Sequence, residues 1–276
     1  MILEVLCATM NQRNLDIIEK MNIKSDAIIS NQVDFNEIIT TKRNSRKITM
    51  INTKTKGVGL NRNIGLLASK GDIILFSDDD MIYKNDYEEK IIEAFKKIPE
   101  ADIIIFETTF MAHGKEIKKI EHKTKKVKFY EVMKYGTYSI AARRKSLLMK
   151  NIYFSQLFGG GCKYGSGEDS KFLTDCFKNR LKIYTYSYNL GVNIKESSTW
   201  FQGFNEKYFY DKGALIESIF KKLKYIVLLY FLIKFIGKTD VKIFKRLKLM
   251  IDGTKGFKKG LSYQEREKNN EYIIRS

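Results

Sequence analysis

Proline is almost missing from this chain, with Pro99 the only one, and histidine occurs twice, at His113 and His122. Scarce proline and scarce low-complexity sequence argue against a disordered protein. The three cysteines, Cys7, Cys162 and Cys176, form no CxxC pair and are far apart. That pattern suggests neither a zinc site nor a disulfide framework, and a reducing compartment is the simplest expectation. Long hydrophobic runs are missing too. The longest, Tyr225 to Ile233, ends at Lys234 and falls well short of the ~20 residues that cross a bilayer. The opening Met1-Ile2-Leu3-Glu4-Val5-Leu6 has no basic region ahead of its apolar residues. It reads as a first β-strand and not as a signal peptide.

What remains is 276 residues, 43% hydrophobic and 13% aromatic, enough for one large domain or one domain with an appended piece. The net charge is +18 and unevenly spread. From Ile219 to Ser276 there are about fifteen Lys and Arg against five Asp and Glu, roughly +10 in the last fifth of the chain. Such a tail suits an anionic partner, whether nucleic acid, anionic lipid or a phosphorylated substrate. A solvated lysine-rich surface accounts for it equally well.

Over the first ~110 residues, strand and helix patterns alternate. Ile2–Ala8, Ala27–Ser30, Lys47–Asn52, Ile73–Phe76 and Ala101–Phe106 are short apolar runs that predict strands. Between them, Leu15 to Met21, Asn61–Ser69 and Tyr87–Ile98 show helical spacing. Continuous apolar strands separated by helices predict a mostly parallel sheet covered on both faces. Ligands of such sheets bind beyond the carboxyl ends of the strands. Gly114–Lys128 is basic and weakly patterned, and reads as an exposed hairpin or loop without the interleaved aromatics that stack bases. In the tail, Val241, Phe244, Leu247 and Ile251 fall at near-helical spacing among lysines. This predicts a basic amphipathic helix, lying on an anionic membrane or capping the core. The division expected is a main domain over 1–215 and a basic helical tail over 216–276.

At one strand end stands GDIILFSDDDM, residues 71–81. Three adjacent carboxylates repel and favour holding a proton, unless a cation offsets them. A hard divalent ion, Mn2+ or Mg2+, suits oxygen ligands of this kind. Alternation along a strand predicts Asp78 and Asp80 on one side and Asp79 on the other. A solvated surface turn is the plain alternative. Downstream, FGGGCKYGSGEDSKF combines a glycine-rich loop with Glu168 and Asp169 at a predicted helix start. Acidic residues in a first helical turn are also ordinary partners of the helix dipole.

Three stretches carry a resemblance. RNIG (Arg62 to Gly65) running into ASKGDIILFSDDD, the later GSGEDSKF, and CATMNQ (Cys7 to Gln12) resemble, in that order, the ARNxG…DxD, GxGEDxxF and opening PTYN segments of the GT-A glycosyltransferases of family two. The resemblance covers about residues 1–200. It implies an α/β GT-A fold, Rossmann-like, with a C-terminal helical extension. It also implies inverting transfer from a nucleotide-sugar, with a UDP-sugar the donor expected, to a glycan or lipid-linked saccharide during surface polysaccharide synthesis. By that resemblance Asp80 holds the metal, while Asp78 shares it or contacts the ribose. Asp79 touches the donor, and Thr9 and Asn11 belong to the nucleotide loop. Arg62 stands near the nucleotide phosphates, Asp169 is the catalytic base, and Glu168 positions the acceptor.

Two departures stand out. Ser30-Asn31-Gln32 replaces the family's DDGS, leaving Asn31 to hydrogen-bond the base. No histidine follows the Glu168–Asp169 helix, so water, a serine or Glu196 would complete a metal site. Trp200, the only Trp, suits either a sugar ring in the acceptor site or the core. A cytoplasmic protein is expected, with peripheral contact to the inner face of the plasma membrane through its tail, or a homodimer through the same tail. No nucleic-acid-reading motif is present. The competing readings are a sugar-nucleotide pyrophosphorylase, which lacks support in a GxGxR-like loop, and a non-enzymatic basic membrane-binding module, which leaves Asp78, Asp80 and Asp169 unexplained.

Overall fold

A computed structural model describes residues 1–195 and 203–268. Its strands are β1 (Leu3–Met10), β2 (Asp26–Gln32), β3 (Glu37–Arg43), β4 (Arg46–Thr53), β5 (Ile73–Asp78), β6 (Met81–Tyr83), β7 (Ile103–Ala112), β8 (Lys115–Ile120), β9 (Lys125–Lys126), β10 (Ile140–Arg143) and β11 (Ile183–Ile194). The helices are α1 (Ile17–Lys20), α2 (Val58–Ala68), α3 (Tyr87–Lys97), α4 (Arg144–Met149), α5 (Glu168–Lys178), α6 (Glu206–Phe220), α7 (Lys224–Lys234) and α8 (Ile243–Lys259).

One sheet runs in the order β3-β4-β2-β1-β5-β10-β7-β11-β6, with β8 beside β7 and β9 beside β11. The sheet is mixed. Its β4-β2-β1-β5 block is parallel, as is β7 with β11, whereas β10 runs antiparallel between β5 and β7. The expectation of a mostly parallel sheet therefore holds for the half that bears the aspartates. The antiparallel members are short strands or hairpin arms, which need no helical crossover. Gly114–Lys128 contains the exposed hairpin arm β8, as the sequence predicts.

Helices cover both faces of the sheet, so the strands read as unbroken apolar runs. On β5, Ile73 and Leu75 join the core that α3 covers with Ile91 and Phe95. Ile74 and Phe76 face the other core, where α5 contributes Phe172, Leu173 and Cys176. The parallel register sets Ala8 opposite Asp78 and Met10 opposite Gln32, so the ends of β1, β2 and β5 meet at one sheet edge.

The tail is three helices. α6 continues through residues 215 and 216 without a break. It crosses α8 where two glycines remove side chains: a Cβ on Gly213 would lie 2.0 Å from the Met250 carbonyl oxygen, and one on Gly253 would lie 2.0 Å from that of Tyr210. This notch decides which face of α8 is buried. Arg246, Leu249, Met250, Gly253 and Thr254 turn inward, and Phe244 is 84% exposed. The expected stripe of Val241, Phe244, Leu247 and Ile251 thus lies off the centre of the packing face: Val241, Leu247 and Ile251 are half-buried against the same core, and Phe244 is left outside. Apolar periodicity alone gives no weight to glycine, and here backbone approach outranks it. Among the described residues no helix is long and apolar enough to cross a membrane.

In an exposed helix Gly→Ala gains up to ~1 kcal/mol of propensity. At this crossing the sign reverses. Gly253→Ala is expected to lower stability by about 2 kcal/mol through overpacking, measured by urea unfolding against the parent chain.

Candidate active site

The three aspartates end β5 and begin a turn. Their side chains leave in three directions, and all three line one cavity of about 1260 Å3. Asp78 Oδ1 accepts from Arg62 Nη2 at 2.6 Å. Asp79 Oδ2 accepts from Thr9 Oγ1 at 2.5 Å. Asp80 Oδ1 accepts from Asn193 Nδ2. The expected pairing of Asp78 with Asp80 against Asp79 fails because the strand stops at Asp78, and a turn does not keep the two-residue alternation.

Arg62 is the counter-charge that the sequence left open. It sits on α2, and α2 is pinned to the strand ends by Asn61. The buried Asn61 amide donates to the carbonyls of Thr9 (3.1 Å) and Ser30 (2.9 Å) and accepts from the Ser30 hydroxyl at 2.6 Å. The next residue then points its guanidinium beneath the cavity, only 3% exposed, with Phe154 at 5.2 Å under its plane. From there Arg62 reaches Asp78 on one side, and Asp169 (3.4 Å) and Glu168 (3.6 Å) on the other. Burial disfavours the guanidinium charge, but the three carboxylates outweigh it and hold the group protonated beyond its ordinary range.

Glu168 and Asp169 arrive as the first turn of α5. Gly167 caps that helix at φ 111°, and a Cβ there would strike Leu215 at 2.5 Å, so glycine answers both demands. Asp169 accepts from the Thr137 hydroxyl. Burial, then the neighbouring Glu168 charge, push its pKa up to about 7 against the opposing pull of Arg62 and Thr137. Asp80 is likewise pushed up to about 7, by burial first and then by Asp78 and Asp79. Asp79 is raised mainly by burial.

Thr9, Arg62, Asp78, Asp79, Asp80, Glu168 and Asp169 therefore share one cavity. Two expected residues do not line it. Asn31 is fully buried: its Nδ2 donates to the Gln12 carbonyl (2.8 Å) and to Asn52 Oδ1 (2.7 Å), and its Oδ1 accepts from Gln12 N–H at 3.1 Å. Its amide braces the loop after β1 and is not offered to a base. Asn11 lies in that loop with φ 59° and is exposed. Trp200 and Glu196 lie outside the described residues.

Sequence reasoning missed Gln32, Tyr138, Asn193, Lys195 and the pair Lys207–Asp211, all on the cavity wall. Asn193 lies near the end of β11 and Lys195 just beyond it, at alternate positions, and that alternation was a readable signal. Nothing local marks Tyr138 or Gln32.

Among the described residues no group of three or more His, Cys, Asp or Glu is placed to hold a metal ion. The donor set still suits a hard cation that brings further oxygens with it. The carboxylates of Asp78 and Asp80 both line the cavity, and the hydrogen-bond partner of Asp80, the Asn193 amide, carries no charge.

Residues 30–152 match the family model described as Glycosyl transferase family 2. Over that segment the chain is similar to the family 2 glycosyltransferases. The segment takes in Arg62 and Asp78–Asp80 and stops before Glu168. Among solved structures, the glycosyltransferase-like fold is shared with S. aureus TarS 1–349 in complex with UDP-GlcNAc, at TM-score 0.62 and 14% identity, covering 95% of this chain and 93% of that one. The same TarS segment without ligand gives TM-score 0.59 at 14% identity and the same coverage. Its complex with UDP gives 0.57 at 15%, covering 96% and 77%. No curated protein matches the sequence. At these identities the likeness speaks for the fold: a GT-A architecture with a helical C-terminal part.

Removing this buried counter-charge leaves Asp78, Glu168 and Asp169 without their shared cation. Arg62→Met is expected to cost about 3 kcal/mol. Carboxylates left without the guanidinium bind protons more tightly when folded, so the variant's deficit grows as pH rises. Urea unfolding at pH 5 and pH 8 reads it, with the larger loss at pH 8.

Proposed function

We propose that this glycosyltransferase moves a sugar from a nucleotide-sugar to a hydroxyl of a glycan or lipid-linked saccharide, with inversion, in surface polysaccharide synthesis. The observation that carries the reading is the Arg62 cluster. One buried guanidinium holds a strand-end aspartate and a helix-start aspartate at the same cavity, so a donor site and a proton acceptor face one space. UDP is the favoured nucleotide, since the TarS segment of like fold is described with UDP-GlcNAc and with UDP.

Asp78 and Asp80 would hold Mn2+ or Mg2+, which supplies neutralisation of charge on the departing diphosphate. Thr9 keeps Asp79 turned toward β1 and in the cavity wall. Asp169 takes the proton of the acceptor hydroxyl as that oxygen bonds to the anomeric carbon. The bond from that carbon to the diphosphate oxygen breaks on the opposite face, its electron pair leaving with the nucleotide. Direct displacement inverts the centre. Glu168, beside Asp169 on the cavity wall, is suited to orient the acceptor.

A base whose pKa stands near 7 is poised for this work at neutral pH. It acts only when ionised, so transfer is expected to rise through about pH 7 and level off above it, the raised pKa of Asp169 setting the midpoint. A profile centred near pH 4, or none, would remove Asp169 from the role.

Asp169→Asn is expected to reduce transfer by at least about a thousandfold, while calorimetric titration with UDP and Mn2+ stays within about twofold of the parent. Surviving transfer overturns the base assignment. Loss of UDP binding by the parent itself, with GDP also inert, overturns the donor reading.

A further inference from the structure

Beyond the cavity, α7 has the sequence KYIVLLYFLIK. Apolar residues surround this helix on every side. Leu228, Phe231 and Leu232 turn inward, followed by Phe235, whose ring meets those of Phe209 and Tyr208 at 5.5 and 5.6 Å. Arg246 of α8 donates to the Leu232 carbonyl at 3.4 Å. That half is ordinary core. The opposite half is not covered. Tyr225, Ile226, Leu229, Tyr230 and Ile233 are each 56–70% exposed. At about 100° per residue they occupy one arc of roughly 140°, and no charged residue interrupts it. A soluble surface helix normally turns charge outward there, so the arc calls for a partner.

The chemistry of that partner is set by the rim. Lys221 and Lys222 precede the helix, Lys234 ends it, and Lys238 and Lys242 follow; all five are exposed. From residue 221 to 250 there are nine Lys and Arg and one acid, Asp240. A second copy of the same patch would bring this positive rim against itself, because a two-fold contact is self-complementary. An anionic bilayer meets both demands at once, apolar depth for the arc and headgroup charge for the rim. The helix is about 16 Å long, too short to cross a membrane and well suited to lie in its surface. Tyr225 and Tyr230 carry the apolar body and polar tip that suit headgroup level. On α8, Ile243 and the 84% exposed Phe244 add apolar side chains near the same basic stretch.

We propose that α7 is a membrane-docking surface that seats the protein in the plane of an anionic lipid bilayer. It also bears on the transferase reading, on which only this next step rests. Phe235, at the end of α7, packs on Tyr208, and Tyr208 lines the cavity. The docked helix would therefore be one side chain away from the wall of the site, which suits an acceptor carried on a lipid.

The test uses the full chain and vesicles, with no donor or acceptor. Co-sedimentation is measured with phosphatidylcholine vesicles and with vesicles that also contain phosphatidylglycerol. The chain is expected to partition into the mixed vesicles at least about tenfold better, with high salt lowering the difference. Ile226→Gln with Ile233→Gln should lower that partition by at least about tenfold, and Phe244→Ser serves as a second probe on α8. These side chains are exposed, so UDP binding by the variants should match the parent. No partition into anionic vesicles, or partition indifferent to Ile226→Gln with Ile233→Gln, overturns the proposal. So does a concentration-dependent dimer that the same substitutions dissolve. None of these outcomes touches the donor reading, which UDP titration tests separately.

Discussion

The structure depends on one buried positive charge. Arg62 lies under the cavity floor with carboxylates on two sides, Asp78 from the sheet and Glu168 with Asp169 from α5. A guanidinium in that position is costly unless paired, and carboxylates crowded there are costly unless a cation intervenes. Each problem answers the other. The consequence is geometric as well as energetic, because the pairing ties α5 to the ends of β1 and β5 across more than a hundred residues of chain. Phosphate binding is the role that a surface arginine takes up readily. Arg62 is instead largely engaged with protein carboxylates, so its contribution is to fix their relative positions.

That single charge does not balance everything. It pairs directly with Asp78, whereas Asp79 and Asp80 receive a hydroxyl and an amide, both neutral. Burial is the first cause of their raised pKa values, and the neighbouring carboxylates add to it. On the proposed reading, such an acidic shelf would receive a cation that arrives with its own anionic ligand. The same logic explains why Asp169 is poised near neutrality: burial and Glu168 raise it, and Arg62 limits the rise. Acid and base behaviour at this cavity is thus one electrostatic problem with Arg62 at its centre.

Sequence periodicity carried the parallel half of the sheet, because strands buried on both faces read as uninterrupted apolar runs. It also carried the strand-end aspartates and the acidic start of α5, since both are contiguous in the chain. What it did not carry depends on contacts between distant segments. β3, EIITTKR, is almost wholly exposed and pairs only with β4, so it has no buried face to impose a pattern. Asn31 looks like a polar residue available to a ligand, yet its partners Gln12 and Asn52 come from two other segments and bury it. The cavity wall drawn from β11 and α6 had no local signature beyond the alternation of Asn193 and Lys195.

The tail shows the same division from the other side. Its basic, apolar character was plain in the sequence, but two accounts fitted it, a lid on the core or a surface for lipid. The fold takes up the first on one face and leaves another face of α7 uncovered. Gly213 and Gly253 let α6 and α8 close on each other's backbone, which fixes the buried side of α8 and leaves Phe244 outside. With α6 and α8 so joined, α7 can bury only the arc that meets them, through Leu228, Phe231 and Leu232. The remaining arc stays apolar although folding does not require it to be. Residues on an exposed helix face are the least constrained by packing, so a charge-free run of Tyr225, Ile226, Leu229, Tyr230 and Ile233 is set by something other than the core. The glycine notch and the uncovered arc are therefore linked: tight closure of α6 on α8 is what turns the other half of α7 outward.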